Sequence, residues 1–338
     1  MIEAIAKLVR GQHLTEVEAG HAMELILAGD ATPSQIAGFA VALRIKGETA
    51  EEIAGLARTA RANAIPLDLD GADLLDTCGT GGDALGTFNI STLSAIVAAA
   101  CGARVAKHGN RAASSLCGSA DVLEALGVRI DLPPDTVARC VDEAGIAFLF
   151  APIYHQGFRY AAVPRRELGL RTVFNILGPL CNPAGARRQA LGVADAALAG
   201  RMAEVLGRLG VEHALVFHGA DGMDELTTTG PSRVIEVESG RQREYILDPA
   251  ELGLPLASID AMRGGGPAEN AQIAREVLGG ATGPRRDVVL LNSAAALRAA
   301  GIAPDFKEGI AVAADAIDSG RAGDVLERWA KTSHALAA

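Results

Sequence analysis

After Pro66 the chain settles into one repeated texture, and that texture limits its fold more than any other feature. Short apolar runs, mostly closing on glycine, alternate with helical stretches. The runs are "DLLDTCG", "ARVAKHG", "IAFLFAP" and "HALVFHG"; the stretches between them include "STLSAIVAAAC", "SADVLEALG" and "PPDTVARCVDEAG". Runs this short and continuously apolar are strands buried on both faces, and strands alternating with helices build a mainly parallel sheet covered on both sides. Residues 226–247 are more polar and read as hairpin-forming strands at a sheet edge. The C-terminal "AENAQIAREVLGG", "KEGIAVAADAIDSG" and "AGDVLERWAKTSHAL" return to helix.

The first 65 residues differ. "TEVE", "TPSQ" and "TAEE" each place a threonine N-cap three residues before Glu or Gln, and Gly29 and Gly47 stand where helices end. The expected fold is therefore α/β, a small all-helical domain over 1–66 followed by a large α/β domain over 72–338 around a central, mainly parallel sheet. Only 4% of residues are aromatic against 49% hydrophobic overall, so the core is built from small aliphatic side chains that suit close helix–strand packing.

Several classes of function fall away. No stretch is apolar and long enough to span a bilayer, and "MIEAIAKLVRGQH" has neither a signal-like apolar run nor a cleavage site, which points to the cytoplasm. Cys78, Cys101, Cys117, Cys140 and Cys181 are odd in number and form no C-x-x-C, so they read as buried small hydrophobes. A net charge of −10, from 31 Lys plus Arg against 41 Asp plus Glu, disfavours nucleic acid and membrane surfaces as partners. An anionic ligand must then be met by local donors or by a metal.

The stretch "DTCGTGGDALGTFNIST", residues 76 to 92, is where such donors gather. It lacks the G-x-x-x-x-G-K-[ST] of a P-loop. Gly79, Gly81 and Ala84 satisfy a dinucleotide-type G-x-G-x-x-A, but Asp83 would face the pyrophosphate, and the next strand ends in Lys107 and His108 rather than in an acid for a ribose. A phosphate site assembled from several strand ends fits better. Gly79 and Gly82 let backbone amides approach, "NIST" opens a helix with free N–H groups, and "KHGNRAASS" adds a cation and further small donors.

"GTGGD", "FNIST", "AKHGNRAASS", "GSADVLEALG", "RTVFNILGPLCNPA" and "DGMDEL", in this order and spacing, together with "MRGGGPAENAQIAREVL", resemble the anthranilate phosphoribosyltransferases over essentially the whole chain. These enzymes join anthranilate to phosphoribosyl diphosphate (PRPP) in the tryptophan pathway. The resemblance implies a nucleoside phosphorylase/phosphoribosyltransferase-like fold, a returning helical segment near 165–180 that joins the helical domain, and a homodimer formed through that domain. A pyrimidine nucleoside phosphorylase-like enzyme is the alternative; its longer "GRGLGHTGG" type of signature is absent.

Carried over by position, the resemblance assigns PRPP to Gly79, Gly82, Asp83, Thr87, Asn89, Ile90, Ser91, Thr92, Lys107, His108, Gly109, Asn110, Arg111, Ala112, Ala113, Ser114, Ser115 and Ser119. It assigns anthranilate to Gly79, Asn110 and Arg165, and Mg2+, two ions per subunit, to Ser91, Asp224 and Glu225. Physical chemistry supports several of these. A planar guanidinium suits a carboxylate, and magnesium takes one or two carboxylates plus substrate phosphate. Taken singly, Lys107 could be a solvated loop lysine, Ser119 a helix N-cap, and Asp224 with Glu225 a solvated pair. His108 and His155 have no partner carboxylate in sequence and read as positioning residues, so no acid or base is assigned. The family commonly carries "HPAMK" and "PVR" where this chain has His155-Gln156-Gly157-Phe158-Arg159 and Val163-Pro164-Arg165. The arginine keeps its register, while the entrance beside it is altered.

Overall fold

The computed structural model describes residues 1–67, 69, 73–112 and 115–337. Four helices open the chain: α1 (Ile2–Val9), α2 (Glu16–Ala28), α3 (Pro33–Lys46) and α4 (Ala50–Ala62). The last three begin at the threonines that the sequence marks. Thr15, Thr32 and Thr49 each accept the backbone amide three residues on, and Glu18, Gln35 and Glu52 reach back to the cap amide. Glu52 does more than cap. Buried, it also takes Lys46 Nζ at 2.8 Å and the Leu14 amide at 2.9 Å, so the start of α4 is tied to the end of α3 and to the α1–α2 connection.

The α/β part runs β1 (Leu74–Gly79), α5 (Ile90–Ala100), β2 (Arg104–Gly109), α6 (Ser119–Ala125), α7 (Pro134–Ala144), β3 (Ile146–Phe150), α8 (Ala151–Tyr154), α9 (Arg159–Leu168) and β4 (Arg188–Gly192). It continues with α10 (Ala196–Arg208), β5 (His213–Gly219), β6 (Ser232–Glu238), β7 (Arg241–Leu247), α11 (Pro267–Leu278), α12 (Pro284–Ala299), α13 (Phe306–Asp318) and α14 (Arg321–Ala335). One sheet holds the strands in the order β3-β2-β1-β4-β5-β6-β7. The first five are parallel, and β6 and β7 form the antiparallel edge hairpin expected from their polar pattern, turning on Ser239 and Gly240, both at positive φ. The chain winds outward from β1 to β3 and then returns to lay β4 against the other side of β1. The crevice above β1 and β4 is thus a topological switch point, where open α/β sheets bind ligands.

Two apolar clusters flank the sheet. One joins α5, α7 and α11 to α14 to one face; the other runs without a break from α1 to α4 through Phe174, Ile176 and Leu177 to α10 and the opposite face of β4, β5 and β6. The helical unit and the sheet therefore share a core.

Some elements differ from the sequence reading. β4 is only five residues opening on Arg188 and Gln189, too short and polar at its start to stand out. α12 is buried on nearly every side and so has no amphipathic stripe. Between 165 and 180 the chain is not one helix: α9 ends at Leu168, and single 3-10 turns follow at Val173–Asn175 and Gly178–Leu180. Gly118, not Ser119, caps α6; Ser119 is its first residue, and Asp121 takes the Gly118 amide at 2.8 Å. All five cysteines are free, with Cys78 and Cys101 only partly buried.

Candidate active site

At the switch point the loop after β5 leans over the ends of two strands. A Cβ on Gly79 would strike the Asp224 carboxylate, and one on Gly192 would strike the Asp224 carbonyl. Glycine ends both β1 and β4 because this acid occupies the place where their side chains would stand. Beyond Gly79 the loop turns through Gly81 (φ +64°), Gly82 (φ +83°) and Ala84 (φ +58°). Asp224 Oδ2 accepts the Gly81 amide at 2.7 Å, and Asp83 Oδ1 accepts the Leu85 amide at 3.2 Å, while Asp83 Oδ2 is buried without a partner.

Three carboxylates converge here. Burial first, and Asp83 second, push Asp224 up to about 6; burial and Asp224 together raise Glu225 well above the ordinary carboxylate range. Glu225 Oε1 accepts the Ser91 amide at 3.0 Å at the N-terminus of α5, so a carboxylate already sits at the helix end that the sequence marks for an anion. Among the described residues no three His, Cys, Asp or Glu side chains are placed to hold a metal ion by themselves.

Lys107 is not a loop cation. It is 2% exposed, beneath α5, and its ammonium donates to the Thr77 carbonyl and lies 3.4 Å from Ser91 Oγ. Burial lowers its affinity for the proton, while Asp76 and Glu225 act to keep it charged. Asn89 has both ends of its amide committed, to the Cys117 carbonyl at 3.1 Å and to Asn270 Nδ2 at 2.9 Å. Thr87 bridges to Arg263. The Ile90 side chain is in the core, and Thr92 Oγ1 is buried without a partner.

Beside the crevice lies a cavity of about 520 Å³ into which Gly79, His108, Gly109, Asn110, Arg111 and Arg165 all open. All three residues assigned to anthranilate thus border one cavity. Arg165 is partly buried and its guanidinium stands 5.9 Å from the Phe174 ring centroid; no acid or carbonyl accepts from it among the described residues, and burial lowers its pKa. His108 Nδ1 is 3.2 Å from the Gly178 carbonyl, which can only accept, so Nδ1 carries the hydrogen and Nε2 keeps a lone pair with no partner. Burial and His155, whose ring centre is 5.2 Å away, push the His108 pKa down to about 3, and the ring is neutral. Gly157, one of the departures, is explained by packing: a Cβ there would lie 2.8 Å from the Leu27 carbonyl of α2.

The rest of "KHGNRAASS" is fastened rather than free. Arg111 pairs with Asp121 and Glu124, the Ala112 amide donates to Asp121 at 3.0 Å, and Ser119 Oγ is 3.3 Å from the Asn110 carbonyl. Ser115 is exposed. Ala113 and Ser114 lie outside the described residues.

Some site residues have no role in the sequence reading. Asp76, an acid inside an apolar strand, accepts the His108 amide at 3.1 Å and leaves Oδ2 buried without a partner; its presence in "LLDTC" is itself a signal. Asn270 receives the Gly265 amide at 2.8 Å and braces Asn89 across 181 residues, a contact no spacing rule could reveal.

Comparison with known proteins bears on the whole chain. A glycosyl transferase family helical bundle domain matches residues 2–64, and the a/b domain of the same family matches 71–323. Anthranilate phosphoribosyltransferase 2 of Streptomyces coelicolor is 58% identical over 320 residues, covering 95% of this chain and 96% of its own. The crystal structure of anthranilate phosphoribosyltransferase from Thermus thermophilus superposes with a TM-score of 0.93 at 48% identity, over 98% of this chain and 99% of that one. The Saccharomyces cerevisiae enzyme in complex with PRPP and Mg superposes with a TM-score of 0.90 at 29% identity, over 99% and 98%.

Proposed function

The chain belongs to the anthranilate phosphoribosyltransferase family, and from that premise we propose how its own residues carry the reaction. The enzyme transfers the phosphoribosyl group of PRPP to the amino nitrogen of anthranilate, giving N-(5-phosphoribosyl)anthranilate and diphosphate, a step of tryptophan biosynthesis. This sets aside the pyrimidine nucleoside phosphorylase alternative. The observation that carries the residue-level reading is Arg165, a partly buried guanidinium with no acid partner among the described residues, facing a cavity large enough for a small aromatic acid.

Arg165 holds the anthranilate carboxylate, and Asn110 and Gly79 border the ring. The amine then faces the switch point, where the glycine loop and the start of α5 receive PRPP through Gly82, Asp83, Thr87, Asn89, Ser91 and Thr92. An aniline nitrogen is neutral near pH 7, so its lone pair can attack the anomeric carbon as diphosphate leaves, with no strong base. Positioning contributes most of the rate. The neutral His108, its Nε2 lone pair open, can accept a hydrogen bond from the amine and hold it in line.

Asp224 and Glu225 fit a divalent cation, because their raised pKa values record a repulsion that such an ion relieves, and carboxylate and hydroxyl oxygens are the donors magnesium takes. Magnesium use is supported by the yeast complex, and we place two ions, one on Asp224 and Glu225 and one reached by the Ser91 hydroxyl. Bound magnesium supplies positive charge to the departing diphosphate. The buried Lys107 offsets Glu225 and keeps the net charge beneath the diphosphate from becoming too negative.

Helical and α/β domains over 1–66 and 72–338, with the returning segment joined to the first, are the functional units of this reading. Homodimerisation through the helical unit is supported by Ile2, Val9 and Ile45, 71%, 72% and 81% exposed on α1 and at the end of α3. The cytoplasm is the proposed compartment, and among the described residues no helix is long and apolar enough to cross a membrane. The direct test is anthranilate fluorescence: its signal should fall with time only when the protein, PRPP and magnesium are all present. Consumption without PRPP, or with phosphate and a nucleoside in its place, would contradict the assignment.

A further inference from the structure

Arg171 touches no part of the acceptor cavity, yet it is the link between the acceptor segment and the glycine loop. Its Nη2 donates to the Gly81 carbonyl at 2.9 Å and lies 3.4 Å from the Thr80 carbonyl, and its Nη1 occupies the space a Cβ on Gly82 would need. Gly81 is thus gripped on both sides, its amide by Asp224 and its carbonyl by Arg171. The loop needs such a grip, because it runs through several positive-φ residues, Ala84 among them, and buries few side chains.

The opposite end of this link is the segment that holds the acceptor. Arg165 lies in the last turn of α9, Gly169 reverses the chain in the left-handed conformation (φ +61°), and Phe174, the ring beneath Arg165, is set in the 3-10 turn after Arg171. Arg165, at the end of α9, and Arg171, just beyond it, are therefore two arms of one short segment, one in the acceptor cavity and one on the donor loop. Behind Arg171 a second, smaller cavity of about 150 Å³, bordered by Arg44, Thr80, Gly82, Thr172 and Leu198, leaves the guanidinium room to follow the loop.

We propose that Arg171 is a positioning residue for PRPP, holding the 80–82 backbone so that Asp83 stays opposite Asp224, and doing so from the same segment that carries Arg165. The role rests on the reading of Asp83 and the glycine loop as the donor site and of Arg165 as the acceptor contact. Were the Asp224 carboxylate engaged by a bound ion, the Arg171 bond to the Gly81 carbonyl would still hold the loop.

The test uses the full chain with Arg171→Ala and with Arg171→Met, which keeps an aliphatic stem but cannot donate, beside Arg171→Lys. Because Arg171 is largely exposed, unfolding midpoints should stay with the parent. The dissociation constant of PRPP with magnesium, read by calorimetry, and the PRPP KM should each rise about fivefold in Ala and Met, as for loss of a charge-assisted bond at the surface. Lys should recover part of the loss, and the anthranilate KM at saturating PRPP should move less than about twofold. Unchanged PRPP binding in both Ala and Met would overturn the proposal, as would equal rises in both substrate constants. Failure of the acceptor reading would appear separately, as an Arg165→Ala variant with an unchanged anthranilate KM.

Discussion

In the proposed site a single guanidinium, that of Arg165, meets the acceptor, and its environment is the reason for that reading. Arg165 is partly withdrawn from water beside Phe174 and meets no acid among the described residues, which leaves it free to take a ligand carboxylate in the proposed site. Arg165→Ala should raise the anthranilate KM about tenfold or more, since a charge-assisted bond is worth about 1.5 to 3 kcal/mol, while the PRPP KM moves little. Equal losses for both substrates would instead signal a packing defect. At the crevice the sign is opposite: Asp83, Asp224 and Glu225 repel one another. Asp224→Asn combined with Glu225→Gln should lower kcat strongly at millimolar-scale magnesium, yet leave the metal-free protein at least as stable because like charges have been removed. A magnesium titration of rate and a metal-free thermal melt check the two halves, and turnover at the parental level would remove the carboxylates from the metal role.

Among the elements, the joint of β5, β6 and α12 at the end of the sheet opposite the site is where acid sensitivity should reside. Glu236, 4% exposed, meets His213 Nε2 and Arg298 Nε at 2.8 Å each. Burial pushes its pKa up, but the bonds from His213 and Arg298 outweigh that and hold it at about 2, below the ordinary 4.5. A depressed carboxylate binds fewer protons folded than unfolded, so its stabilisation is complete above about 4.5 and is lost as pH falls toward 2. Glu236→Gln should cost about 3 kcal/mol at pH 7, by leaving Arg298 without its partner, and the gap from the parent should narrow below pH 4.5. Urea unfolding at pH 7 and pH 3.5 reads both values, and a gap that stays constant with pH would show that the ion pair is not the source.

On the scale of the molecule, the helical unit does not stand apart from the α/β part. α4 packs on α10, and one apolar cluster runs from Leu8 and Met23 to Val216 and Ile235. Removing residues 1–64 would uncover the sheet face formed by Leu191, Val193 and the α10 side chains. The full chain should therefore unfold in one calorimetric transition, and the truncated chain should be insoluble or bind an apolar dye. Two well-separated transitions in the full chain would show instead that the halves are independent. Sharing a core also limits how far the segment around Arg165 and Arg171, held on α3 by α9, can move relative to the glycine loop.

What the sequence determined by itself was whatever depends on near neighbours along the chain. Capping boxes at Thr15, Thr32 and Thr49 mark helix starts because a cap is a three-residue interaction. Strands β1, β2, β3 and β5 are legible because a buried parallel strand is a short apolar run, and the glycine loop because positive φ calls for glycine. The family and its reaction were legible too, since the motifs keep their order and spacing. Tertiary structure alone decided which distant groups meet. It put Asp224 over the ends of β1 and β4, Glu225 rather than open space at the start of α5, Lys107 under that helix instead of in a loop, and Arg171 on Gly81. It also supplied β4, whose five residues become a central strand only because β1 and β5 pair with them. The physical reason is the same in each case: burial, and the pKa and charge balance that follow from it, are set by which surfaces pack together, and that is a property of the folded chain rather than of any segment within it.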